Sequence, residues 1–135
     1  MLDRDAIRQA YARSLMLGIR AGGHAVNCRE VSAAVEYEEL SWQGFAVAKA
    51  FRAVLADLEI PAPVTLAEVE ACAVIEDTMC GSEPALLNRD IAVIRQETVT
   101  AVMAALAQIV DRDDLLSLIS DFPIARLVED TPWAA

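Results

Sequence analysis

Residues 3–23 read DRDAIRQAYARSLMLGIRAGG, and this stretch contains the signals of a complete helix. Asp3 or Asp5 offers a carboxylate that can cap the first turn. Apolar or small residues follow every three or four positions along one face, at Ile7, Tyr11, Leu15 and Gly18. The pair Gly22-Gly23 then predicts a helix end after about Ile19.

The same periodicity continues downstream, and breakers fall where helix ends are expected. The predicted later helices run from an Asn27 cap to about Leu40, from a Ser41 cap over 42–58, from a Thr65 cap to Gly81, and over about 90–110. A turn after Pro84, a short helix over 115–119 and a last turn after Pro123 complete the pattern. This predicts an all-α fold, a compact antiparallel bundle of about five main helices plus a short C-terminal helical segment. Residues 1–135 should form one domain, with 129–135 as a tail.

The segment 98–110 is uncharged and apolar on nearly every side, but it is shorter than the roughly 18 residues of a membrane span. It is therefore expected at the centre of the bundle. Its small residues would also let a second copy approach closely, which makes a homodimer the alternative use of this helix. These residues are Ala101, Ala104, Ala105 and Ala107.

Charge excludes several classes of function. Eleven basic residues against twenty-one acidic ones give a net charge of −10, which opposes direct binding to nucleic acid or to anionic membranes. A hydrophobic fraction of 56% is too high for a disordered polyanion. Met1–Arg20 lacks the pattern of a secretory signal, and three cysteines fit reduced thiols, so a cytoplasmic protein is expected.

The acidity is concentrated, because residues 53–88 hold seven acidic side chains and no basic one. A surface of this kind suits a basic partner protein that the chain would bind, and inhibit or chaperone. Trp133, in the tail, would serve as an aromatic anchor. The predicted partner-binding residues are Asp57, Glu68, Glu70, Glu76, Asp77 and Trp133. The alternatives are a solvated face that keeps the chain soluble and a Trp133 that folds over the bundle end.

Two sets of cysteines could carry chemistry. His24 and Cys28 stand four residues apart and could bind a metal or activate a thiolate. Thiols and carboxylates also alternate every fourth residue along the predicted fourth helix, at Glu68, Cys72, Glu76 and Cys80. This row drifts around a helix by about 40° per step, so all four cannot reach one ion. Core cysteines beside surface glutamates are the alternative interpretation.

Glu36 and Glu39 form a Glu-x-x-Glu step that could help to hold magnesium. The step resembles the first half of the motif of the all-α nucleotide pyrophosphohydrolases. The second half is absent, because Val54 stands where a glutamate three residues before Asp57 is required. No phosphate-binding glycine loop, nucleophile elbow or paired Cys-x-x-Cys occurs either. The sequence thus favours a binding protein without cofactor, catalytic residues or metal; the alternative is a small metal-dependent enzyme.

Overall fold

The computed structural model describes residues 3–74 and 84–109 of the chain. They form four helices: α1 (Arg4–Asn27), α2 (Val31–Asp57), α3 (Leu66–Ala73) and α4 (Pro84–Ile109). No strand occurs among these residues, which confirms the all-α prediction. The described residues hold four helices in place of about five, because several predicted boundaries are not helix ends. The predicted short helix over 115–119, the turn after Pro123 and the tail 129–135 lie outside the described residues.

The first helix does not stop at the glycine pair. It begins as predicted, with the Asp3 carboxylate accepting the amide of Ala6, but it continues through Gly22 and Gly23 to Asn27. A Cβ on Gly22 would lie 3.0 Å from Ser41 Oγ of α2, so this glycine allows close packing. Asn27 closes α1 by donating its side-chain amide to the carbonyl of Gly23, at 3.0 Å, and does not cap the following helix.

The second and third predicted helices are one helix, α2. Ser41, the predicted cap, is buried inside this helix and donates its hydroxyl to the carbonyl of Gly18 in α1, at 2.6 Å. A serine can satisfy its hydroxyl across a helix interface as well as at a helix start. The predicted boundary between Leu40 and Ser41 is therefore wrong. Of the residues that a three- and four-residue spacing over 42–58 predicts on the buried face, Ala48, Phe51 and Leu55 are buried, whereas Phe45 is 44% exposed.

The predicted start of α3 is confirmed, whereas its predicted end is not. Thr65 Oγ1 accepts the amide of Glu68 at 3.1 Å, and the Glu68 carboxylate accepts the amide of Val64 at 2.9 Å. The helix ends at Ala73, and Val74 takes a left-handed conformation with φ 54°. Gly81, the expected end, lies outside the described residues. The predicted turn after Pro84 is not separate from the helix predicted from about 90, because both belong to α4, which begins at Pro84.

Among the four described helices, α1 contacts each of the other three. It is antiparallel to α2, because Gly18 lies near Gly44 while Gly22 lies near Ser41. It is also antiparallel to α4. The backbone amide of Asp3, at the start of α1, donates to the side chain of Gln108 near the end of α4. Further along α1, Arg13 pairs with Glu97, which stands earlier in α4. The predicted antiparallel arrangement therefore holds for these two helix pairs.

The main core lies between α1, α2 and α4. Its larger side chains are Ile7, Tyr11, Leu17, Tyr37, Leu40, Val47, Phe51, Leu55, Ile60, Ile91, Ile94, Val102 and Leu106. A smaller cluster joins α1 to α3, through Ala12, Met16, Val69 and Ala73. In the described part, Val102, Ala105 and Leu106 are buried and Met103 is exposed, so the central place of 98–110 stays a prediction.

The alanines proposed for a dimer contact differ in exposure. Ala105 is buried, whereas Ala104 and Ala107 are exposed on the side of α4 that faces away from the core. Dimerisation stays a prediction. Over 3–74 and 84–109, no helix combines the length and the apolarity needed to cross a membrane.

Candidate functional site

Four exposed carboxylates follow one another from the end of α2 into α3, and we call Asp57, Glu59, Glu68 and Glu70 the acidic segment. The ion pair between Arg13 and Glu97, at 2.6 Å, involves none of these four carboxylates. Asp57, Glu59 and Glu70 thus have no neutralising partner in that part of the chain. The acidic segment presents negative charge directly to solvent.

The acidic segment is held in place by contacts with α1. Arg8 donates its Nε proton to the carbonyl of Pro61, at 3.0 Å, which fixes the connection between α2 and α3. Val69 and Ala73 pack on the opposite side of α3 from solvent, against Ala12 and Met16. The carboxylates therefore project from an ordered backbone, which reduces the entropy that a partner must remove on binding.

Glu68 has a second role, as part of the α3 cap. The hydrogen bond from the amide of Val64 lowers the pKa of this carboxyl, desolvation opposes that shift, and hydrogen bonds with Thr65 and the charge of Arg8 lower the pKa further. An ionised Glu68 also suits the N-terminal turn of a helix, where the backbone amides point outward. This carboxylate is consequently both a surface charge and a structural group.

One groove on the surface lies between α1 and α3. It has a volume of about 630 Å³, and Asp3, Asp5, Arg8, Glu68 and Cys72 are among its lining residues. Burial raises the pKa of the Cys72 thiol, Arg8 opposes this rise, and Asp5 adds to it. A thiol with a raised pKa is a weak nucleophile and a weak metal ligand near neutral pH.

Only part of the predicted binding surface can be placed. Glu68 lines the α1–α3 groove, while Asp57 and Glu70 are exposed outside it. Glu76, Asp77 and Trp133 lie outside the described residues. The predicted row from Glu68 to Cys80 does not run along one helix, because α3 ends at Ala73.

A second groove, on α2, was missed by the sequence analysis. The described residues that line it are Val35, Glu38, Glu39, Trp42 and Gln43, and its volume is about 360 Å³. We call it the α2 groove. Trp42 is 71% exposed and Val35 48% exposed, so two apolar side chains lie open to solvent between carboxylates. The sequence signal that could have found it is the spacing of Tyr37, Leu40, Gly44 and Val47, which continues across position 41 without a break. This spacing indicates that residues 35 and 42 share one helix.

His24 and Cys28 lie at the turn between α1 and α2. The His24 ring is buried and stacks on Tyr37, with 5.5 Å between the ring centroids. The Cys28 thiol donates to the carbonyl of Glu30 at 3.6 Å. Burial raises the pKa of Tyr37, and charge at Cys28 and Glu36 adds to the rise. The stacked rings fill the end of the α1–α2 interface.

The carboxylates considered for magnesium are spread along one helix. Glu36, Glu39 and Asp57 all belong to α2, so 36 and 57 are separated by roughly 30 Å of helix. Among residues 3–74 and 84–109, no three side chains of His, Cys, Asp or Glu meet in a group that could hold a metal ion.

Comparison with known proteins gives no relative: no family model, no curated protein and no solved structure matches this chain.

Proposed function

We propose that this chain is an acidic helical interaction module that binds a basic partner protein and thereby inhibits or chaperones it. The observation that carries the proposal is the acidic segment, an ordered run of exposed carboxylates of which Asp57, Glu59 and Glu70 have no ion pair in the described part. The net charge of −10 has the same sign, so the whole chain would attract a basic surface.

The physical consequence is a binding rate that depends on salt. Exposed charges interact over a Debye length of about 10 Å at 0.1 M salt and about 3 Å at 1 M. Complementary charge mainly accelerates association, and mutation of rim charges changes the association rate and its salt dependence. Loss of binding at high salt is therefore the expected signature of a partner recognised by the acidic segment.

The experiment is capture of partners from host lysate by the full chain at low and high salt. The test variant combines Asp57→Asn with Glu70→Gln, and the control combines Asp5→Asn with Glu30→Gln. Each variant removes two negative charges, so the net charge is the same in both. We expect a basic protein to be retained at low salt, released at high salt, and bound more weakly by the test variant than by the control. Equal weakening would assign the effect to net charge alone, and absence of any basic protein would overturn the proposal.

The alternative function, a small metal-dependent enzyme that uses Glu36 and Glu39 or the Cys72 region, has no specific geometric support in the described residues. It stays a prediction, and metal content of the purified chain tests it.

A further inference from the structure

The α2 groove has a composition that suits one type of side chain. Glu38, Glu39 and Trp42 stand three, four and seven residues after Val35, which places all four along one face of α2. This face is opposite to the face that packs on α1, where Tyr37, Leu40 and Gly44 are buried. The groove is thus built on a helix that the core holds in place.

The polar groups of the groove are hydrogen-bond acceptors in large part. Glu38 and Glu39 contribute carboxylates on the exposed side of α2. A carboxylate attracts a positively charged group and accepts charge-assisted hydrogen bonds from its N–H donors. The groove consequently favours a ligand that carries several donors and a positive charge.

Trp42 adds a flat aromatic surface to these acceptors. A guanidinium group stacks on an indole ring through cation–π attraction and presents five N–H donors to nearby carboxylates. Trp42 is also the type of residue that contributes most to protein interfaces when it is covered by a partner. Its exposure of 71% leaves the indole accessible.

We propose that the α2 groove binds an arginine side chain of the partner protein, stacked on Trp42 and paired with Glu38, with an apolar neighbour of that arginine resting on Val35. This inference rests on the proposed function, because it specifies how a basic partner would be recognised. It assigns recognition to a surface other than the acidic segment, which would then steer association.

The experiment uses a capped five-residue peptide in which two arginines flank a leucine, labelled with fluorescein. Its control replaces both arginines by citrulline, which keeps the shape and removes the charge. Binding to the full chain is measured by anisotropy. The same unlabelled peptide is titrated against a Trp133→Phe chain, in which Trp42 is the only remaining indole, and its emission is recorded.

We expect the arginine peptide to bind, to change the emission of Trp42, and to bind better than the citrulline peptide. Trp42→Ala should weaken binding about tenfold, and Glu38→Gln about threefold. The controls Val64→Ala, which also truncates an exposed apolar side chain, and Asp5→Asn, which also removes one exposed negative charge, should leave affinity within about twofold. Circular dichroism checks that each variant keeps its helices.

Three results would overturn the inference: no binding of the arginine peptide, equal binding of the citrulline peptide, or unchanged affinity in Trp42→Ala. The lysate capture fails or succeeds independently of these results. If a basic protein is captured and Trp42→Ala still binds it, the proposed function stands and the α2 groove is the wrong site. If the peptide binds the groove and no basic protein is captured, the groove stands and the proposed function fails.

Discussion

Gly44 of α2 lies directly against the backbone of Gly18 in α1. A Cβ on Gly44 would be 2.7 Å from the Gly18 nitrogen and 2.9 Å from the carbonyl oxygen of Ser14. Backbone atoms of a helix cannot move aside as a flexible side chain can, so only glycine fits at position 44. This contact sets the distance between α1 and α2 and so orients the outer face of α2.

We predict that Gly44→Ala lowers the free energy of unfolding by at least about 2 kcal/mol, because overpacking exceeds the gain in helix propensity. Gly23→Ala is the matched control. Gly23 lies within the same hairpin, and a Cβ there would meet nothing within 4 Å. Alanine at 23 should therefore stabilise the chain by about 0.5–1 kcal/mol. Urea denaturation measures both values, and a tolerated alanine at 44 would contradict the close crossing.

The hydroxyl of Ser41 should also contribute to stability. It donates to the Gly18 carbonyl at 2.6 Å in a buried position, so Ser41→Ala should cost about 1 kcal/mol. Thr100→Ala removes a similar hydroxyl-to-carbonyl bond that is exposed, and its effect should remain within about 0.5 kcal/mol. Equal stabilities of the two variants would show that the bond across the interface contributes nothing.

Stability should depend on pH through Glu68. Its pKa is lowered in the folded chain, from an ordinary 4.5, mainly by the hydrogen bond from Val64. The ionised carboxylate therefore favours the folded state above the ordinary pKa, and this contribution is lost as pH falls through the lower, folded value. Glu68→Gln should be less stable than the natural chain at pH 7 and equally stable in strong acid. A difference that persists unchanged in acid would contradict the cap geometry.

The cap itself gives a companion test. Thr65→Ala removes the acceptor for the Glu68 amide and should cost about 1 kcal/mol at all pH values where the chain folds. Because threonine does not titrate, this cost should not follow the pH profile of Glu68→Gln. Thermal unfolding over a pH series distinguishes the two.

Local signals predicted the helix starts at Asp3 and Thr65 and placed two further starts, at Asn27 and Ser41, where no helix begins. Asp3 and Thr65 both cap as their spacing predicts, because a cap depends on residues within one turn. Gly22 and Ser41 instead act across the α1–α2 interface, and tertiary contact overrides their usual preference for helix ends. A single sequence does not show which small residues face another helix.

The candidate site was predictable in its charge and not in its shape. The exposure of Asp57 and Glu70 follows from the rule that charge runs are solvated. The α2 groove could not be seen once a helix boundary was placed at Ser41, because that boundary separates Val35 from Trp42. With α2 continuous, the two residues share one face.

Native mass spectrometry of the untagged chain, purified at low salt from its own host, is the decisive measurement for binding by an acidic interaction module. We predict a complex with a basic protein that dissociates when the same sample is exchanged into high salt. A partner-free chain that retains a stoichiometric metal ion would contradict this function and direct the search to Glu36, Glu39 and Cys72.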